Sequence, residues 1–317
     1  MLKSTRDAYG EALLRLGAMN PRVVVLDADL SSSTRSSRFA AQFPERYFEM
    51  GIAEQNMYGV AAGLASCGKI PFASTFAVFA TERALNQIRQ SIAYPSLNVK
   101  IVSSHGGFTA SGDGGSHQTL IDVGLMRCLP NMTVIVPADA VQAEQAVAAA
   151  AEHQGPVYLR LGKSEVPVLF EAGYSFRIGE AVPMRPGRDV TVLVAGTLLG
   201  QALSAAEALE REGISVELIS VPTLKPLDRE RILGSVRKTG AVVTVEEHSV
   251  IGGLGSAVAE LLAAHHPVPM AFVGVNDLFG ESGSEQELYA RHGLTARGIG
   301  EKVRAVLNRR GGGRGRG

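Results

Sequence analysis

A glycine-rich loop carries the densest group of polar side chains in the chain, including His105, Asp113 and His117. The loop directly follows an apolar run at residues 99–102, which predicts a strand. In open α/β sheets ligands collect at the carboxyl ends of strands, and His and Asp side chains there can donate and accept protons. The loop is therefore a candidate substrate site. A flexible loop with scattered polar residues is the simpler alternative, and the spacing matches no recognised zinc site.

Two further segments contain residues that could contact a cofactor. Residues 50–56 place Glu54 at the start of an Ala- and Gly-rich helix. A carboxylate at this position interacts favourably with the helix dipole even if it has no other role. Residues 74–79 include Phe76 and Phe79, whose rings could stack on a ligand or fill the core. On local grounds alone, a structural role is the simpler interpretation of both segments.

The elements that must position these residues alternate between short Val- and Ile-rich runs and longer Ala- and Leu-rich stretches. The runs lack a period of two, which predicts strands buried on both faces of parallel sheets. The predicted strands are residues 22–27, 99–102, 133–136, 157–160, 190–194, 215–219, 241–245 and 270–273. Helices are predicted near residues 5–18, 54–66, 80–93 and 139–153. Two such series predict an α/β protein with two doubly wound domains.

The chain of 317 residues is long enough for two domains of roughly 150 residues each. We expect a first domain at residues 1–162 and a second at residues 179–309, joined by an irregular linker at 163–178. Residues 310–317 consist of Arg and Gly, so they cannot form a core and are predicted to be disordered.

Composition excludes several classes of protein. The 31 basic and 31 acidic side chains cancel, so the chain lacks the positive field that a nucleic-acid-binding protein needs. Apolar runs are too short to cross a membrane, and no signal peptide is recognisable, which predicts a cytoplasmic protein. Cys67 and Cys128 form no spaced pair, which argues against a disulfide framework or a zinc site, and both are expected in the core.

The order of the motifs carries more information than any one of them. Gly-Ile-Ala-Glu at 51–54 is followed by Thr-Phe-x-x-Phe at 75–79 and by His-x7-Asp-Gly-x-Ser-His-Gln at 105–118. A strand ending in Arg160 comes next. This order resembles the transketolase family, specifically its pyrimidine-binding domain followed by its C-terminal domain, over residues 3–308.

The resemblance implies thiamine diphosphate as the cofactor, bound between two subunits. Glu54 would be the carboxylate that faces N1′ of the aminopyrimidine, a catalytic role. Phe79 and Phe76 match aromatic residues that pack on the pyrimidine ring, and Asp29 matches an acidic residue near the cofactor. Where some transketolases have a Tyr three residues after Phe79, this chain has Glu82, so that contact is not expected here.

The resemblance also assigns a substrate cleft. Asp113 would bind the α-hydroxyl group of the sugar, and the catalytic His117 would lie near the donor carbonyl and the amino group of the cofactor. The catalytic His105 would meet the phosphorylated end of the substrate. The family's other phosphate-end residues match a hydroxyl and two guanidinium groups, on Ser33, Arg6 and Arg160.

The tripeptide Gly112-Asp113-Gly114 looks like the start of the family's magnesium and diphosphate motif, but Asn131 comes too early to close that motif. The chain is therefore expected to lack the diphosphate-binding domain and to resemble the C-terminal subunit of a split transketolase. A separate N-terminal subunit would hold Mg²⁺ and the diphosphate, and an α2β2 assembly is expected.

The implied activity is transfer of a two-carbon ketol unit from a ketose phosphate, such as xylulose 5-phosphate, to an aldose phosphate. Related alternatives are 1-deoxyxylulose-5-phosphate synthase and the β subunit of a 2-oxo acid dehydrogenase. A non-catalytic regulatory homologue and a transketolase for an unusual sugar also remain open.

Overall fold

The computed structural model describes residues 1–171 and 173–312. Its strands are β1 Leu2–Ser4, β2 Val23–Asp27, β3 Tyr47–Glu49, β4 Ile70–Phe76, β5 Lys100–Ser104, β6 Thr133–Ile135, β7 Val157–Arg160, β8 Glu165–Pro167, β9 Val182–Arg185, β10 Val190–Val194, β11 Val216–Ser220, β12 Thr223–Lys225, β13 Val242–Ser249 and β14 Met270–Val275. Its helices are α1 Thr5–Met19, α2 Ser31–Thr34, α3 Ser37–Gln42, α4 Glu54–Ser66, α5 Leu85–Gln87, α6 Asp122–Cys128, α7 Ala140–Glu152, α8 Leu199–Arg211, α9 Arg229–Thr239, α10 Leu254–His265, α11 Glu285–His292 and α12 Ala296–Gly312.

The first sheet has the strand order β12-β6-β7-β5-β4-β2-β3, and every neighbouring pair is parallel except β12 with β6. Strands β2, β4, β5, β6 and β7 are buried along their whole length. One face packs against α4 and the other against α1 and α7. Burial on both faces explains the continuous apolar runs.

The second sheet has the order β14-β13-β10-β11-β9, and β9 is its one antiparallel strand. Helices α8 and α12 pack together on one face, and α9 and α10 contact the sheet at β10 and β13. The two parallel sheets with their helices confirm the predicted α/β fold class.

One strand from the second half joins the first sheet, and a separate two-stranded sheet forms within the first 167 residues. β12 follows β11 in the chain but joins the edge of the first sheet, where Thr223 pairs with Ile135. The segment expected as an irregular linker contains β8, which pairs antiparallel with β1.

Two local expectations, one for a helix and one for the cysteines, need correction. The helix predicted at 80–93 is interrupted: wide π-type turns at Phe79–Arg83 and Ile88–Ala93 flank the short α5. Cys67 and Cys128 are both exposed rather than in the core.

The predicted disorder of the tail does not hold for Arg310. This residue lies in α12 and donates hydrogen bonds to the carbonyl groups of Asp189 and Thr239. Residues 313–317 lie outside the described part of the chain. Within the described ranges, no helix combines the length and apolar character that a membrane span requires.

Candidate active site

An open cleft of about 430 Å³ lies at the carboxyl end of the first sheet. Its walls are formed by Arg6, Ser32, Ser33, Arg35, Phe76, His105, Asp113, His117 and Lys163. Six of these nine were predicted from the sequence as site residues: Arg6, Ser33, Phe76, His105, Asp113 and His117. The structure therefore brings together side chains from α1, from the turn after β2, and from the ends of β4, β5 and β7.

The turn after β2 is built around the buried Asp27. Its carboxylate accepts hydrogen bonds from the backbone N–H of Leu30 at 2.7 Å and from the hydroxyls of Thr34 at 2.6 Å and Ser36 at 2.8 Å. Burial raises the pKa of Asp27 to about 6, although these three bonds oppose the change. The result is a fixed turn that presents Ser33 to the cleft.

His105 is held tightly at the base of the cleft. It is only 2% exposed, and its ring centroid lies 3.7 Å from that of Phe76. Its Nδ1 lies 2.8 Å from the hydroxyl of Ser104. Burial, followed by the positive charges of Arg6 and Lys163, lowers the pKa of His105 to about 3. The imidazole is therefore neutral near pH 7 and can exchange hydrogen bonds without adding charge.

Three cations make one end of the cleft positive. Arg6 donates from Nη1 to the carbonyl of Ser33 at 2.9 Å, and its buried Nε has no partner among the described residues. Burial and the nearby Arg35 lower the pKa of Arg6. Arg35 is paired with Asp7 at 2.7 Å, whereas Lys163 is exposed. An unused, buried N–H donor between cations is suited to an anion.

A second group of side chains lies beside the cleft. The rings of Phe76 and Phe79 stack with centroids 5.8 Å apart and an interplanar angle of 10°. His117 meets Phe79 edge-on at 5.4 Å. The Arg83 guanidinium covers the Phe79 ring at 4.4 Å and pairs through Nη1 with Glu54 at 2.8 Å. A planar group with N–H donors thus fits between this ring and this carboxylate.

Glu54 is placed by the start of α4. It is the first residue of that helix and is 2% exposed, so its carboxylate lies at the positive end of the helix dipole. Within the described residues, this carboxylate forms an ion pair with Arg83.

The structure corrects the expectation for Arg160. Its side chain is 7% exposed and does not line the cleft. Nε donates to Asp122 at 2.7 Å and Nη2 to the carbonyl of Glu247 at 2.9 Å, so the guanidinium is already paired. The backbone of Gly106 covers it, because a Cβ there would lie 2.6 Å from the Arg160 Nε. The cation that reaches the cleft from this segment is Lys163.

Two other residues singled out in the sequence also lie outside the cleft lining. Asp29 is exposed with a φ of 60°, and its backbone N–H donates to Glu49 at 2.8 Å. Glu82 is exposed near Thr119, and partial desolvation raises its pKa. The predicted role of Asp29 near a cofactor stays a prediction.

Arg35, Lys163 and Arg83 were missed from the sequence. Lys163 follows the buried β7 by three residues, and Arg35 follows the buried β2 by eight, so both lie in the region where a ligand site is expected. That signal was present but did not distinguish them from other cations. For Arg83, the irregular helix around it removes the regular spacing that would have linked it to Glu54.

Known proteins are similar to this one along almost the whole chain. The family model of the transketolase pyrimidine-binding domain matches residues 2–168, and the family model of the transketolase C-terminal domain matches residues 179–299. The 6-deoxy-6-sulfo-D-fructose transketolase subunit of Clostridium sp. (strain MSTE9) is 46% identical over 96% of this chain and 95% of its own length. Homo sapiens transketolase is 37% identical over 96% of this chain but only 49% of its own length.

A solved structure described as a split gene transketolase, inactive beta4 tetramer, has a TM-score of 0.91 and 56% sequence identity. The superposition covers 96% of this chain and 98% of that one. These matches confirm the resemblance seen in the motifs. The chain belongs to the transketolase family and corresponds to the C-terminal subunit of a split transketolase.

Proposed function

We propose that this subunit, together with an N-terminal partner subunit, transfers a two-carbon ketol unit from a ketose phosphate to an aldose phosphate. The observation that carries the proposal is that two neighbouring groups of side chains in one chain have complementary chemistry. The Glu54–Phe79 group can receive a planar heterocycle, and the adjoining cleft combines proton-exchanging histidines with a cationic end.

Glu54, Phe76 and Phe79 would hold the aminopyrimidine of thiamine diphosphate, and Asp29 would lie near it. The fit is supported by Arg83, a planar N–H donor that already contacts both the Phe79 ring and the Glu54 carboxylate. When bound, the cofactor supplies a nucleophilic carbon for cleavage beside a carbonyl group. Glu54 holds a proton at N1′ of the pyrimidine.

The cleft residues would bind the sugar. Asp113 accepts a hydrogen bond from the α-hydroxyl, and His117, beside the Phe79 ring, exchanges a proton with the donor carbonyl. His105, neutral because of its low pKa, donates a hydrogen bond without repelling the cations around it.

The cationic end would bind the phosphate. Three groups there can contact a phosphate: the Arg6 guanidinium with its unused Nε, the Ser33 hydroxyl and the Lys163 ammonium. The guanidinium offers two parallel N–H donors, the hydroxyl a neutral donor and the ammonium a positive charge. Xylulose 5-phosphate is a donor with this chemistry. A sulfonated ketose is a second candidate, since the Clostridium relative is named for 6-deoxy-6-sulfo-D-fructose.

The partner would supply the rest of the site. The human transketolase that this chain matches is about twice as long, which supports a separate N-terminal subunit holding the diphosphate and Mg²⁺. The beta4 tetramer described for a 56% identical relative supports self-association of this subunit, and we propose an α2β2 complex.

The test uses the reconstituted two-subunit complex with xylulose 5-phosphate and an aldose phosphate. Glu54→Ala should reduce ketol transfer by about 10³-fold or more, because the proton at N1′ of the pyrimidine loses its partner. The complex should still assemble, since the change removes one side chain from the site and leaves the rest of the fold in place. Glu45→Ala removes an exposed acid nine residues earlier and should leave turnover unchanged. Near-normal turnover in Glu54→Ala would contradict the assignment, and turnover with pyruvate as donor would favour a different thiamine-dependent reaction.

A further inference from the structure

The loop that carries His105 rests on two buried side chains from other parts of the chain. A Cβ added to Gly106 would lie 2.6 Å from the Arg160 Nε, and one added to Gly107 would lie 2.5 Å from the Glu247 carboxyl group. The backbone of this loop therefore lies in direct contact with a guanidinium and a carboxylate.

Glu247 reaches this loop from β13, in the second sheet. It is 4% exposed, and its Oε1 accepts a hydrogen bond from the Phe108 N–H at 2.6 Å. The Arg160 guanidinium donates to the Glu247 backbone carbonyl and to Asp122, which also accepts from the Tyr158 hydroxyl at 2.6 Å. The polar groups beneath the loop thus form one connected cluster.

The backbone of the loop needs such support. His105 has a φ of 59°, a conformation that is unfavourable for residues other than glycine unless the surroundings fix it. The next three N–H groups are all bonded: Gly106 to the Leu161 carbonyl, Gly107 to the Thr119 carbonyl and Phe108 to Glu247. Only the last of these acceptors is a side chain, and only it belongs to the second half of the chain.

We propose that Glu247 is a positioning residue for the cleft, whose carboxylate fixes the backbone after His105 and so keeps the imidazole packed against Phe76. Its effect on turnover rests on the proposed function, whereas its effect on His105 does not. Through this contact, the second half of the chain determines the geometry of a site that lies on the first sheet.

The other groups around Glu247 agree with a positioning role. Thr197 lies at 3.4 Å from Oε2, and Glu285 and Tyr289 are its further neighbours. None of these groups is part of the cleft lining. The carboxylate therefore acts on the substrate site through the backbone of the loop and does not contact the substrate.

The first test measures how fast diethyl pyrocarbonate modifies His105 in the isolated chain, read by peptide mass spectrometry. Glu247→Met keeps the side-chain length but removes the acceptor, so His105 should become about 10-fold more reactive. Glu247→Gln retains an acceptor oxygen and should stay close to the wild-type rate. Glu247→Asp withdraws the carboxylate by one methylene and should change the rate in the same direction as Met, which provides a second variant if Met does not fold.

Glu246→Met is the matched control. Glu246 is equally buried on the same strand, but its carboxylate accepts from Leu254 and Gly255 at the start of α10. Its loss should destabilise the protein without exposing His105. An unchanged His105 rate in Glu247→Met and Glu247→Asp, or an equal increase in Glu246→Met, would overturn the proposal.

The second test uses the reconstituted complex. Glu247→Met should raise the KM for a phosphorylated donor about 10-fold with little change in kcat, and Glu247→Gln should restore it. If His105 reactivity changes as expected but the wild-type complex transfers no ketol unit, the positioning role stands and the proposed function fails.

Discussion

Lys163→Gln gives a sharp test of the cationic end of the cleft. Lys163 is exposed at the cleft wall that Arg6 also lines, and it forms no ion pair with the described residues. The substitution removes one positive charge and keeps a polar side chain of similar length. Because the side chain is exposed, the fold should tolerate the change.

The magnitude follows from the exposure of the ammonium group. A charge at about 4 Å from a phosphate gains about 1 kcal/mol in water and about 4 kcal/mol at an effective dielectric constant of 20. The interaction energy of an exposed group lies near the lower of these two values. We therefore expect the substitution to reduce the binding free energy of the phosphate by about 1.5 kcal/mol, or about 10-fold in affinity. The phosphate is remote from the reacting carbon, so the loss should raise KM and leave kcat within about twofold.

The assay compares a phosphorylated ketose with an unphosphorylated ketose in the reconstituted complex. Lys163→Gln should raise KM for the first donor only, and Lys163→Arg should restore it. The wild-type KM should also rise with ionic strength more steeply than that of the variant. Lys69→Gln, which removes an exposed lysine elsewhere, is the control. An equal loss with both donors, or an unchanged KM, would refute the assignment of Lys163 to the phosphate.

Three further outcomes are expected from stability measurements. His105 has a folded pKa of about 3 against an ordinary 6.5, so acid protonates the unfolded chain first. Between pH 6.5 and about pH 3, this group alone should therefore lower the free energy of unfolding by about 1.4 kcal/mol for each pH unit of acidification. Urea titrations at pH 7 and pH 5 should show a smaller fall in His105→Asn. Arg83→Gln leaves the buried Glu54 unpaired; a double-mutant cycle with Glu54→Gln should give a coupling of about 1–2 kcal/mol, since Arg83 is half exposed, and a coupling near zero would show that the pair is not formed. Gly106→Ala places a Cβ against Arg160 and should lower the melting temperature by several degrees, whereas Gly59→Ala, with open space around it, should not.

Much of the fold could be predicted because buried parallel strands leave a strong trace in the sequence. The four apolar runs of the second half correspond to β10, β11, β13 and β14. The first three have a neighbouring strand on each side, and β14 lies at the edge of the sheet in contact with α12. β4 was missed because Pro71 and a Ser-Thr pair interrupt its apolar character, although every residue in it is buried.

The errors at the site have a common physical origin. A strand buried on both faces has no alternation to indicate which side chain faces a ligand, so the sequence favoured Arg160 at the end of β7 and missed Lys163 three residues later. The tertiary structure separates them, because Arg160 is paired with Asp122 and covered by Gly106, whereas Lys163 is exposed. Similarly, no local pattern connects Glu247 with a loop 139 residues earlier in the chain.

The crossing of β12 into the first sheet has a consequence for protein engineering. A chain cut within residues 163–178 would leave β6 as an open edge, with unpaired N–H and C=O groups that invite pairing with other copies. The same cut would remove β13, on which the loop after β5 rests. The stretch that looks most like a linker is therefore a poor place to truncate this protein, and its two halves are expected to be expressible only together.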